Sequence, residues 1–194
     1  MKNNTNRPSG LAPLIHQRWS PRAFSARAIE PALLERLMEA ARWAPSCYNE
    51  QPWRFVVAHA SHTEGFAGIL STLVPFNQNW AKSAAVLGIA IASTHFANNG
   101  KPNDWARYDT GQAMAQLTIQ AEFEGLKVHQ MGGFDPAACA QVLGIPEGFV
   151  AAAAFAIGYE GDPATLDPQM QPGELALSER KPLAEIVFHG KFRQ

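Results

Sequence analysis

At 194 residues, with 46% of them apolar and 17% charged, the chain has the make-up of a globular protein and enough material for one sizeable core. Sixteen basic against seventeen acidic side chains leave a net charge of -1, which excludes a global attraction to nucleic acid or anionic membranes, so any anion must be held by local charges. Two cysteines, Cys47 and Cys139, and six scattered histidines show neither a disulfide framework nor metal-ligand spacing, so reduced thiols and no metal are expected.

In chain order, MKNNTNRPSG lacks the apolar core of a secretory signal, and residues 1–9 are expected to be a flexible lead into a single domain covering 1–194. LAPLIHQRWS, residues 11–20, reads as a short helix ending in a polar loop. Pro31 suits a first helical position, and Leu33, Leu34, Leu37, Met38 and Ala41 recur at helical spacing until Pro45 stops the run. Trp53 to Ala58 reads as a strand. Ala84 to Ala92 reads as another, buried on both faces, with a weaker helical segment between the two. That apolar run is too short to span a bilayer, so a cytoplasmic protein without membrane association is expected. A long central helix follows from Trp105 to Glu124, closed by Gly125. LKVHQM is a short strand, Asp135 and Pro136 form an N-cap and first turn, and Val150 to Gly158 is a further buried strand. Gly161 to Gly173 reads as a loop and EIVFHGKF, residues 185–192, as one last strand. Helices and strands mixed without a regular βαβ rhythm favour an α+β fold.

The usual catalytic signatures are missing: no GxGxxG opens a helix after a strand, and no Walker, GxSxG or HExxH sequence occurs. Four polar clusters remain. In RWSPRAF, Arg18, Ser20 and Arg22 alternate in an extended loop and so point to one side, offering two guanidinium forks and a hydroxyl that suit a phosphate. In SERKPL, Arg180 and Lys181 stand just ahead of Pro182. In HQMGGFD, which also carries Met131, Gly132 and Gly133 let a backbone approach a ligand closely and leave N–H groups to donate. APSCYNEQPW, residues 44–53, supplies hydroxyl, thiol and amide groups at a helix end. Guanidinium groups for a phosphate, amides for a heterocycle and exposed backbone N–H groups together describe the needs of flavin mononucleotide (FMN).

These stretches resemble the FMN-dependent nitroreductase family: RWSPRAF, AARWAPSCYNEQPWRFVV, DTGQAMAQLTIQAEFEGL, HQMGGFD and RKPLAEIV stand in the family's order, from about His16 to Phe188. The block from Ala40 to Val57 is the specific part. The resemblance implies an α+β fold, a mainly antiparallel sheet flanked by helices, and an intertwined homodimer with FMN sites at its interface. By position it makes Arg18 a phosphate ligand, places Ser20 and Arg22 at the ribityl chain and pyrimidine side, and completes the phosphate grip with Arg180, Lys181 sharing that role. Pro45, Ser46, Cys47 and Asn49 would come from the other subunit to line the flavin, with Gln51 nearby. Gly132, with Gly133, would aim a backbone N–H at flavin N5, and Met131 and Gln112 would be further contacts. Asn79 and Lys82 repeat the spacing of a pair that binds the pyrimidine edge in some members. Departures are Cys47 where many members have serine, Met131 where an aliphatic residue is expected, ALSE where some members are basic before Arg180, and His129, which the pattern leaves unexplained.

The activity implied is transfer of a hydride from NADH or NADPH through flavin N5 to a nitroaromatic, quinone or similar small acceptor, by a ping-pong mechanism. The cofactor carries the hard chemistry, which matches the missing catalytic signatures. STHFANNGKPNDWARY, residues 93–108, offers Phe96, Trp105 and Tyr108 as rings to stack on an acceptor. The alternatives are a dehalogenase or flavin-destroying relative of the same fold, or an FMN storage or sensor dimer without turnover.

Overall fold

The computed structural model describes Pro8 and residues 10–192; apart from Pro8, the stretch expected to be flexible, 1–9, lies outside the described residues. Strands β1 (Trp53–His59), β2 (Val86–Ser93), β3 (Lys127–Met131) and β4 (Phe149–Gly158) form one antiparallel sheet in the order β1-β2-β4-β3. The helices are α1 (Pro13–Gln17), α2 (Pro31–Arg42), α3 (Thr63–Ser71), α4 (Pro75–Ala81), α5 (Ala106–Phe123), α6 (Pro136–Leu143) and α7 (Gln171–Leu175). The architecture is the expected α+β sheet with flanking helices, and no helix among the described residues is long and apolar enough to cross a membrane.

Strand alternation splits the core into two layers. From β2, Leu87, Ile89 and Ile91 join Phe66 and Ile69 of α3, Trp80 of α4 and Cys139 of α6 on one face. Val86 and Ala90 face the other way, with Phe155 and Ile157 of β4, against Leu33 and Leu37 of α2 and Met114 and Leu117 of α5. Every residue of β2 except Ser93 is buried, as expected for a strand covered on both faces.

Three expectations need correction. The single weak helix between β1 and β2 is two helices, because Pro75 lacks the N–H to continue α3 and instead opens α4. Between Gly161 and Gly173 the chain makes a short 3₁₀ turn at Pro163–Thr165 and then enters α7, so the stretch is not wholly loop. EIVFHGKF forms no strand: a 3₁₀ turn occupies Leu183–Glu185, and Ile186, Val187 and Phe192 remain exposed. A short apolar run makes a strand only where an edge is available to pair with, and this segment pairs with none among the described residues.

Candidate functional site

The loop that follows α1 alternates as its sequence suggests. Arg18, Ser20 and Arg22 are half-buried while Trp19, Pro21 and Ala23 are buried between them. Arg18 Nη1 donates to Ser20 Oγ at 3.2 Å. Beyond Ala23 the loop is pinned to the end of β4, where Phe24 bridges to Glu160, Ser25 N–H donates to the Tyr159 carbonyl and Gly161 N–H to that of Ala23. A Cβ on Gly161 would lie 2.5 Å from the Phe24 carbonyl carbon, so only glycine permits this approach. Under the loop, His129 Nδ1–H donates to the Pro21 carbonyl at 2.8 Å and its ring lies 4.5 Å from that of Trp80. Burial pushes this imidazole down to about 4 against the opposing pull of the Pro21 bond, and the Arg22 and Arg18 charges add to the lowering.

Arg22 is held through its backbone. Glu174 of α7, 2% exposed, accepts from Arg22 N–H at 2.9 and 3.0 Å and from Ala23 N–H at 3.0 Å. The guanidinium is left with a 3.9 Å charge contact to Glu174 and a 5.7 Å approach to the Phe76 ring, while its Nε is buried without a hydrogen-bond partner.

Far apart in the sequence, the two basic clusters meet. Arg18, Arg180 and Lys181 line one cavity of about 470 Å³ together with Ile15, Ser178 and Leu183. Three cations facing one hollow make a local site for an anion on a chain that is nearly neutral.

At the end of β3, Gly132 and Gly133 differ. The Gly133 carbonyl accepts from Val74 N–H at 3.1 Å and Asn77 Nδ2 at 2.9 Å, and a Cβ there would fall 2.6 Å from Asn77 Nδ2. A Cβ on Gly132 would meet nothing within 4 Å. Gly133 is thus required by packing, whereas Gly132 borders open space. Helix α4 links the two regions, since it carries both Asn77 and the Phe76 ring beside Arg22. Met131 is buried in the core, so its side chain supports this turn from behind.

APSCYNEQPW is a strained turn. After α2 the chain makes a 3₁₀ turn at Cys47–Asn49, and Tyr48, Asn49 and Gln51 have φ of 52°, 58° and 51°. Asp109 of α5, 2% exposed, holds it: Oδ2 accepts from Cys47 N–H at 2.9 Å and Oδ1 from Gln112 Nε2 at 3.3 Å. Ser46 Oγ accepts from Gln51 N–H at 2.9 Å, and Gln51 Nε2 donates to the Asn49 carbonyl, so part of this polar set serves the turn itself. Tyr48 projects 90% exposed, its ring 6.0 Å from Phe96, and Glu50 accepts from Ala97 N–H. Pro45 and Asn49 are exposed, and no residue from 45 to 51 lines the cavity of Arg18, Arg180 and Lys181.

Asn79 and Lys82 lie elsewhere. Lys82 Nζ is 3.5 Å from Asn79 Oδ1, and both line a separate cavity of about 1070 Å³ with Trp80, Asp162, Asp167 and Met170. No other expected site residue lines that cavity.

Glu174 and Asp109 carry no signal in the sequence. Each is a buried acid whose backbone N–H partners lie far away in the chain, 152 residues for Glu174 and 62 for Asp109, so no local pattern marks them.

The comparisons with known proteins identify the family and the fold. A family model described as "Nitroreductase family" matches residues 15–159. A 15.4 kDa protein of Mycolicibacterium smegmatis is 35% identical over 63% of this chain and 82% of its own. An NADH dehydrogenase of Thermus thermophilus is 26% identical over 75% of this chain and 84% of its own. Among solved structures, an oxidoreductase containing FMN superposes with a TM-score of 0.92 at 38% identity, covering 100% of this chain and 99% of that one. A nitroreductase family protein of Streptococcus pneumoniae shares the fold with a TM-score of 0.73 at 21% identity, covering 90% and 97%. On the family match over most of its length, together with this antiparallel sheet and its flanking helices, the chain belongs to the nitroreductase family.

Proposed function

We propose that the protein is an FMN-dependent oxidoreductase that moves a hydride from NADH or NADPH to a nitroaromatic, quinone or similar small acceptor in two alternating half-reactions, acting as a cytoplasmic homodimer. The observation that carries this reading is the convergence of Arg18, Arg180 and Lys181 on one cavity beside the Arg22 loop. Names of relatives support it: the 38% identical structure contains FMN, and the Thermus relative is an NADH dehydrogenase.

The donor set fits FMN. Three cations suit its phosphate, the unpaired Nε of Arg22 marks a guanidinium with bonding capacity to spare, and the open side of Gly132 leaves room for a flat ring against the backbone. When bound, FMN supplies the electron transfer between donor and acceptor. What the chain adds is position and charge. Arg18 and Arg180, with Lys181, hold the phosphate, Ser20 faces the ribityl chain, and Gly132, with Gly133, turns a backbone N–H toward the ring. Arg22 places positive charge where the pyrimidine edge gains negative charge on reduction, and each charge-assisted hydrogen bond there contributes about 1.5 to 3 kcal/mol.

The turn of Pro45, Ser46, Cys47, Asn49 and Gln51 serves as the second wall, delivered by a partner subunit, with Gln112 fixing it through Asp109. Rings at the mouth, with Trp105 and Tyr108 6.0 Å apart and exposed, stack on the acceptor. Steady-state kinetics of the FMN-loaded protein test the proposal. Parallel double-reciprocal lines for donor and acceptor are expected, and the absence of acceptor-dependent NADH and NADPH oxidation would overturn it.

A further inference from the structure

The Arg22 loop rests on a group that the family pattern of this sequence does not include. Glu174 is among the largest fully buried side chains of the molecule. An isolated carboxylate is not left in a protein interior, and this one is compensated almost wholly by one loop: the N–H groups of Arg22 and Ala23 at 2.9 to 3.0 Å and the Arg22 guanidinium at 3.9 Å. Helix α7, only five residues long and opened by Pro172 near its start, brings the carboxylate there across a separation of 152 residues.

Two effects on the site follow, and they differ in kind. The backbone bonds fix where Arg22 leaves the chain and so where its guanidinium can reach. The negative charge, close to that guanidinium and shielded from water, cancels part of the positive charge that Arg22 presents. We infer that Glu174 is a positioning residue for the flavin edge of the site: it holds Arg22 in place and, by offsetting its charge, keeps the bound flavin harder to reduce than Arg22 alone would make it. This inference rests on the FMN reading above.

Two substitutions separate the effects. Glu174→Gln keeps a carbonyl oxygen for the backbone N–H groups and removes the charge. Glu174→Asp keeps the charge and draws it back from the amides. The readouts are FMN affinity by fluorescence quenching and the reduction potential of the bound flavin by equilibration with a reference dye. For Glu174→Gln a more positive potential is expected, with affinity within about threefold of the parent protein. For Glu174→Asp the expected change is a roughly tenfold loss of affinity, the equivalent of one charge-assisted hydrogen bond, with a smaller change in potential. If both variants fold, bind FMN as the parent does and keep its potential, Glu174 is a structural acid only and the inference fails while the FMN reading stands. If the parent protein takes up no FMN, both fail together. Should one variant not fold, the other still decides, because each has its own expected shift.

Discussion

His129 shows how a single residue can be legible in type and illegible in role. It has no place in the family pattern, yet it donates to the Pro21 carbonyl and packs at a tilt against Trp80 beneath the Arg18 to Arg22 loop. Its value of about 4 in the folded protein, against 6.5 ordinarily, means that the unfolded chain binds the proton more readily. Stability from this group is therefore complete above about pH 6.5, declines as pH falls toward about 4, and changes no further below that. At roughly 1.4 kcal/mol per unit the full loss is of the order of 3 kcal/mol. Urea unfolding of the parent protein and of His129→Gln between pH 4 and 7 measures it. The stability difference between the two should shrink across that window, and a difference independent of pH would contradict the assignment. Cys139 shows the same force on a thiol, since burial in the core raises it above its ordinary value.

Elements were read well where a pattern is self-contained and poorly where a distant partner decides. The helical spacing of Leu33 to Ala41, the unbroken apolar run of β2 and the Asp135 cap are local, and all stand in the structure. EIVFHGKF carries the β-branched and aromatic residues of a strand, but pairing is not a property of the segment. Asn79 and Lys82 do share a side of their helix end, as three-residue spacing requires, and spacing cannot say which cavity that side meets. The turn after α2 was legible as a helix stop. Its dependence on Asp109, in a helix more than fifty residues away, was not. Asp109→Ala removes the acceptor of Cys47 N–H and should cost about 1 to 3 kcal/mol in urea unfolding, whereas Asp109→Asn, which keeps an oxygen, should cost less. Equal losses for the two would show that the turn does not rest on that bond.

For the whole molecule, the polar residues sort into a basic hollow on one side and a strained turn on another. Arg18, Arg180 and Lys181 share the hollow, and the turn of Cys47 stands outside it. The homodimer proposed above would bring the two together across its interface, and Trp43, Tyr48 and Phe123 are exposed apolar side chains open to such a contact. The proposed chemistry depends on bound flavin. Anaerobic absorbance spectra of the protein equilibrated with FMN, taken before and after adding NADH and then NADPH, should show protein-bound flavin bands that bleach with at least one donor. Failure to retain FMN at all, or bands that persist with both donors, would contradict it.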